Sequence, residues 1–182
     1  LANVHVLTGG DFDTSMLLYN EALDYAVRAG DKYCIAFVHN DIGNLFFTMG
    51  DYKKALPYLR FAFILNQEIE KYREVCVGAL NIASCFFELG FYDSTSLYLD
   101  KGMKIADRYS LRSEKLTLYQ TMGQLRAAMN DYKGAYQYHQ EYMSLHDSIY
   151  NAEKERLIAE ITSKYETEKK ENENILLRKD QE

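Results

Sequence analysis

The chain has 182 residues, 26% charged and 47% hydrophobic, with 16 Tyr, nine Phe, no Trp, ten Gly and a single Pro. That balance excludes disordered, collagen-like and mucin-like classes, and one Pro where about nine are usual points to long uninterrupted helices. The net charge of −6, from 27 acids and 21 bases, comes without a dense Lys/Arg stripe, so direct nucleic-acid binding by this segment is not expected.

The hydrophobic pattern predicts helices near 1–9, 12–29, 32–49, 52–70, 72–89, 92–109 and 112–129, then a last helix from 132. No segment alternates with period two, so no sheet is expected. The longest greasy stretch, Leu59 to Leu65, is interrupted by Arg60 and is too short to span a bilayer. The chain starts at Leu1 with no basic n-region and apolar stretch behind it, and reads as a piece of a larger protein.

A repeat organises these helices. Residues 10–15 read GDFDTS, 50–55 GDYKKA, 90–95 GFYDST and 130–135 NDYKGA, a strict spacing of 40. Gly10, Gly50, Gly90 and Asn130 suit the left-handed conformation that ends a helix. Asp11, Asp51 and Asp131 are placed to cap the next helix, and Phe12, Tyr52, Tyr92 and Tyr132 to fill the corner between the two. The flanks keep phase: Ile42, Ile82 and Met122 align, as do Gly43, Ala83 and Gly123, and Phe46 and Phe86. Small residues where helices approach, with large apolar residues one turn away, are the signature of packed amphipathic helices.

This pattern resembles the tetratricopeptide repeat, with a period of 40 in place of the commoner 34. Its strongest copy is Gly43, Phe46, Gly50, Tyr52, Ala55, Leu59 and Ala62. The fourth copy departs from it, with Arg126 in place of an aromatic and His139 and Tyr142 in place of small or apolar residues, and reads as a modified cap. The resemblance implies an all-α fold, a right-handed superhelical α-solenoid of helix-turn-helix repeats with a long C-terminal helix. Residues 1–149 form the repeat domain, with turns at 10–13, 50–53, 90–93 and 130–133, and 150–182 form a charged helical or coiled-coil extension toward an output module.

From Tyr150 to Glu182 there are nine acids, seven bases and neither Gly nor Pro. Ile158, Ile161, Tyr165 and Ile175 make a weak heptad that fits either a solvated helix or a dimerisation and relay surface. Joined to 40-residue repeats, this tail resembles the sensor regions of Bacteroidetes signalling proteins that lead into a histidine kinase or a transcriptional regulator. The resemblance implies a sensor domain on the periplasmic side of the inner membrane, with the cytoplasm as the alternative.

Little points to chemistry. There is no phosphate-binding glycine loop, nucleophile elbow or HExxH, so neither catalysis nor a cofactor or metal is expected. His139 and His146 are about 10 Å apart along a helix, too far to share a metal. Cys34, Cys76 and Cys85 lack zinc or disulfide spacing and read as small buried hydrophobes.

In the repeat family the first helix of each pair lines a groove. Carried over, those positions are Phe37, Asn40, Asp41, Asn44 and Phe47, then Leu80, Asn81, Ser84 and Phe87, then Gln120, Thr121 and Gln124. Amides donate and accept at once, which suits an extended peptide backbone, while the rings take its side chains. The expected function is a non-catalytic ligand- or protein-binding sensor domain. Its alternatives are a scaffold or adaptor and a cytoplasmic peptide-responsive regulator. The expected partners are a protein or peptide in the groove and a second copy along the C-terminal helix.

Overall fold

Among the described residues seven helices start at intervals of 20 residues: α1 (Phe12–Ala29), α2 (Lys32–Thr48), α3 (Tyr52–Glu68), α4 (Tyr72–Glu88), α5 (Tyr92–Arg108), α6 (Arg112–Ala128) and α7 (Tyr132–Lys179). They are seen in a computed structural model, which describes the backbone of residues 12–179 and the side chains of 12–167. The helix expected near 1–9, Gly10 and Asp11 lie outside the described residues; among the described residues no strand occurs. The chain divides into two units, Leu1–Glu141 and Tyr142–Glu182.

The cadence of 20 comes from one turn used six times. Gly30, Gly50, Glu70, Gly90, Ser110 and Asn130 all have positive φ, between 54° and 77°. At each, the amide of the following residue returns to a carbonyl five back, from Asp31 to Ala26 through to Asp131 to Arg126, over 2.8–3.0 Å. That bond satisfies a carbonyl the helix end leaves open. The turns joining one repeat to the next are therefore the same as those inside a repeat, although Glu70 and Ser110 carry no glycine to announce them. The longer period is taken up in the helices, as α2 to α6 each have 17 residues.

Capping follows the acids. Asp51 accepts the Lys54 amide at 3.1 Å and Asp131 the Gly134 amide at 2.9 Å. Asp31, which the 40-residue reading passes over, accepts the Cys34 amide at 3.0 Å. Lys71, Phe91 and Leu111 hold the same position with no side-chain cap.

Within the first unit the small and large residues interlock as the phase requires. Ala55, Leu59 and Leu99 are fully buried, and so in effect are Ile42 and Ile82; a buried Leu or Ile is worth about 1.5–3 kcal/mol. Gly43 lies directly against the Leu59 side chain, where a Cβ would stand 2.6 Å from its Cγ. Three corner rings find partners: Phe12 with Phe46 at 5.5 Å, Tyr52 with Phe47 at 5.1 Å and Tyr92 with Phe87 at 5.9 Å. Tyr132 does not fill its corner. It is 69% exposed, because Ala127 stands where the other copies have Phe47 and Phe87.

Cys76 and Cys85 are buried, and burial pushes their thiols up to about 12 and about 11. Cys34 differs from expectation: it is exposed in the first turn of α2. In the second unit Tyr142 stacks on His146 with ring centroids 5.9 Å apart. Ile158, Ile161 and Tyr165 are exposed there; the side chain of Ile175 lies outside the described residues. Among the described residues no helix is long and apolar enough to cross a membrane.

Candidate functional site

The first helices of the repeats, α2, α4 and α6, touch in succession. Their contacts obey a common offset. Asn81 on α4 donates its side-chain amide to Asn40 Oδ1 on α2 at 2.9 Å. The Tyr33 hydroxyl reaches Glu74 Oε1 at 3.5 Å, and Arg73 Nε donates to Glu114 Oε1 on α6 at 2.5 Å. All three pairs are 41 residues apart. Glu114 is 8% exposed, so its charge requires a partner, and its hydrogen bond holds the Arg73 guanidinium above its ordinary value.

A pocket of about 190 Å³ opens between α2 and α4. Tyr33, Phe37 and Val77 supply its apolar walls, and all three are more than a third exposed. Asn40, Arg73 and Glu74 edge it, and Asn66, near the end of α3, completes it. The rings of Tyr33 and Phe37 lie 6.5 Å apart, and Lys71 Nζ sits 5.4 Å from the Tyr33 ring. Such a slot offers an incoming segment apolar surface together with amide donors and acceptors.

The expected groove residues are distributed unevenly about this slot. Phe37 and Asn40 line it, and Asn81 is tied to Asn40. Asp41 is half-buried and adds to the rise of the Tyr19 hydroxyl, which burial chiefly drives up to about 12. Asn44 is half-buried. Phe47 and Phe87 stack in the corners, and Leu80 lies in the core against Leu99 and Leu118. Ser84 and Thr121 donate to the carbonyls of Leu80 and Thr117 within their own helices, while Gln120 and Gln124 are exposed on α6.

Tyr33, Asn66, Arg73, Glu74, Val77 and Glu114 enter the site without having been singled out by the repeat pattern. A signal did exist for two of them, because Glu74 and Glu114 are 40 apart and therefore in phase. Among the described residues no group of three or more His, Cys, Asp and Glu is arranged to hold a metal.

No family model matches the chain. Response regulator aspartate phosphatase J of Bacillus subtilis is 26% identical over 85 residues, which cover 47% of this chain and 22% of that protein's length. The TPR domain of Arabidopsis FLU superposes with a TM-score of 0.59 at 18% identity, over 62% of this chain and 95% of that one. Bacillus thuringiensis PlcR, in a complex with the peptide PapR7 and DNA, superposes with a TM-score of 0.63 at 17% identity, over 82% of this chain and 56% of that one. The fold is a tetratricopeptide-like helical-repeat solenoid.

Proposed function

We propose that this chain is a non-catalytic binding domain of a signal-transduction or transcription-regulatory protein, taking an extended peptide or partner segment along the α2, α4 and α6 face. The observation that carries this reading is the slot between α2 and α4, where the joined amides of Asn40 and Asn81 stand beside the exposed ring of Phe37. Side-chain amides match the donor and acceptor pattern of a peptide backbone, and an adjacent ring holds one of its side chains. The likeness in fold to PlcR, a protein seen with a bound peptide, supports a peptide ligand.

The finer proposal is a sensor of the Bacteroidetes type on the periplasmic side of the inner membrane, feeding a kinase or regulator module. In it the C-terminal helix pairs with a second copy through Ile158, Ile161, Tyr165 and Ile175 and relays binding. A relay of this kind needs a ligand with different affinity for two states. The second reading is a cytoplasmic peptide-responsive regulator, favoured by the likeness to phosphatase J and PlcR.

A displayed library of short random peptides, panned on the 182-residue chain, tests the reading. Enriched peptides are expected to lose about ten-fold in affinity, or 1.4 kcal/mol, with Asn81→Ala and with Phe37→Ser. No enrichment, or enrichment insensitive to both changes, rules the site out. Ile158→Asp combined with Ile161→Asp is expected to halve the sedimenting mass if the helix pairs; an unchanged mass removes the dimer.

A further inference from the structure

One side chain of the slot has chemistry that peptide-backbone recognition by Asn40 and Asn81 leaves unused. Asn66 lines the pocket at 5% exposure, and its Oδ1 has no hydrogen-bond partner. A buried amide oxygen without a partner bears the full desolvation penalty of the group. The fold asks for no such residue here: the in-phase positions of the neighbouring repeats are Ala26 and Ala106, buried at 7% and 1%. Alanine fills the same place without the penalty.

The rest of the pocket narrows what the amide can be for. Its walls are the rings of Tyr33 and Phe37 and the side chain of Val77. Of its charges Arg73 is paired with Glu114 at 2.5 Å, and Glu74, at the pocket edge, accepts only a long hydrogen bond from the Tyr33 hydroxyl at 3.5 Å. A charged ligand group would be desolvated against a neutral amide, which is unfavourable, and a purely aliphatic one would leave the amide unpaired. The volume of about 190 Å³ exceeds that of an apolar cavity of about 150 Å³ that takes up benzene.

The geometry points to a subsite for a single aromatic ring bearing a hydroxyl or ring N–H, the chemistry of a tyrosine phenol or a tryptophan indole, with its polar group on the Asn66 amide. The ring lies against Tyr33, Phe37 and Val77. This deepens the binding reading and rests on it only in that the ring arrives as a peptide side chain; a free aromatic molecule has the same chemistry.

Ligand-observed NMR on the full chain, with phenol, indole, toluene and N-acetyl-tyrosinamide as probes, tests the assignment. Phenol and indole are expected to bind about five-fold more tightly than toluene, the scale of one hydrogen bond at a buried site. Asn66→Ala should bring the three within about two-fold without lowering the melting temperature, since the repeat already places Ala at 26 and 106. A silent wild-type chain, equal binding of toluene, or selectivity that persists in Asn66→Ala overturns the subsite. Val77→Trp, which fills the slot, should remove binding of all three rings; retained binding also overturns it. Binding of N-acetyl-tyrosinamide together with phenol supports a peptide source, whereas phenol binding without it removes the peptide reading and leaves the subsite standing.

Discussion

Asn81 gives its side-chain amide to Asn40 Oδ1 across 2.9 Å, which leaves the NH2 group of Asn40 to donate elsewhere in the slot it lines. The bond fixes which way the Asn40 amide faces, and so presents a donor in place of an acceptor to whatever enters.

The pair should behave as one unit. Asn81→Ala and Asn40→Ala are each expected to cost about 0.5–1.5 kcal/mol, and the double variant no more than the larger of the two. Urea unfolding of the four proteins measures this as a double-mutant cycle. Fully additive losses would mean that the two amides do not interact.

Two helix glycines should respond in opposite directions. In Gly43→Ala the new methyl would stand 2.6 Å from Leu59 Cγ and 3.3 Å from the Ala55 carbonyl. Overpacking of that kind costs about 1–3 kcal/mol, which outweighs the gain of about 1 kcal/mol in helix propensity. At Gly123 the nearest atoms to a new methyl are 3.7 Å away, so the propensity term dominates and Gly123→Ala should stabilise. Melting temperatures that move together would contradict the packing.

The turns at Glu70 and Ser110 carry side chains at φ of 57° and 54°. A left-handed L-residue costs about 1–2 kcal/mol, and the greater freedom of glycine in the unfolded chain takes back about 0.5–1 kcal/mol. Glu70→Gly and Ser110→Gly are therefore each expected to stabilise by about 0.5–1 kcal/mol, read as a higher urea midpoint. A loss of stability in either would show that the turn is not left-handed.

The helix caps set an acid limb. The backbone N–H of Cys34 holds the Asp31 carboxyl below its ordinary value, and the Lys54 side chain and backbone N–H do the same for Asp51. Because both values are depressed on folding, the stability they bring is complete above the unfolded carboxylate value of about 3.9 and is lost as pH falls through the folded ones. Asn keeps a capping oxygen without the charge. Asp31→Asn with Asp51→Asn should thus flatten the fall of melting temperature between about pH 5 and pH 2; an unchanged slope would remove these caps as its cause.

Among the described residues helix positions were legible to within two residues, because each repeat announces its turn with Gly or Asn followed by an acid or aromatic. The alternate turns were harder, since Glu70 and Ser110 are left-handed only because the helices on either side demand it. The slot was half legible. Phe37 and Asn40 follow from the positions the family resemblance implies, but Asn66 reads as an ordinary amide near a helix end, and its burial shows only in the fold. The resemblance to the repeat family placed Phe47 and Phe87 among the groove positions, yet Tyr52 and Tyr92 draw them into the corners. Tyr132 lacks such a ring across from it and stays in solvent.

The mismatch between a repeat of 40 and bridges of 41 limits how modular the solenoid is. Turns recur at the repeat length, so shuffled copies would still fold into helices. Each bridge, however, joins one position of a copy to the next position of its neighbour: Tyr33 meets Glu74, and Arg73, the counterpart of Tyr33, meets Glu114. Exchanging the second and third copies would set Arg73 against Cys34 and bury the Glu114 charge beside a tyrosine. The order of the copies, and not merely their number, is thereby written into the side chains of the first helices.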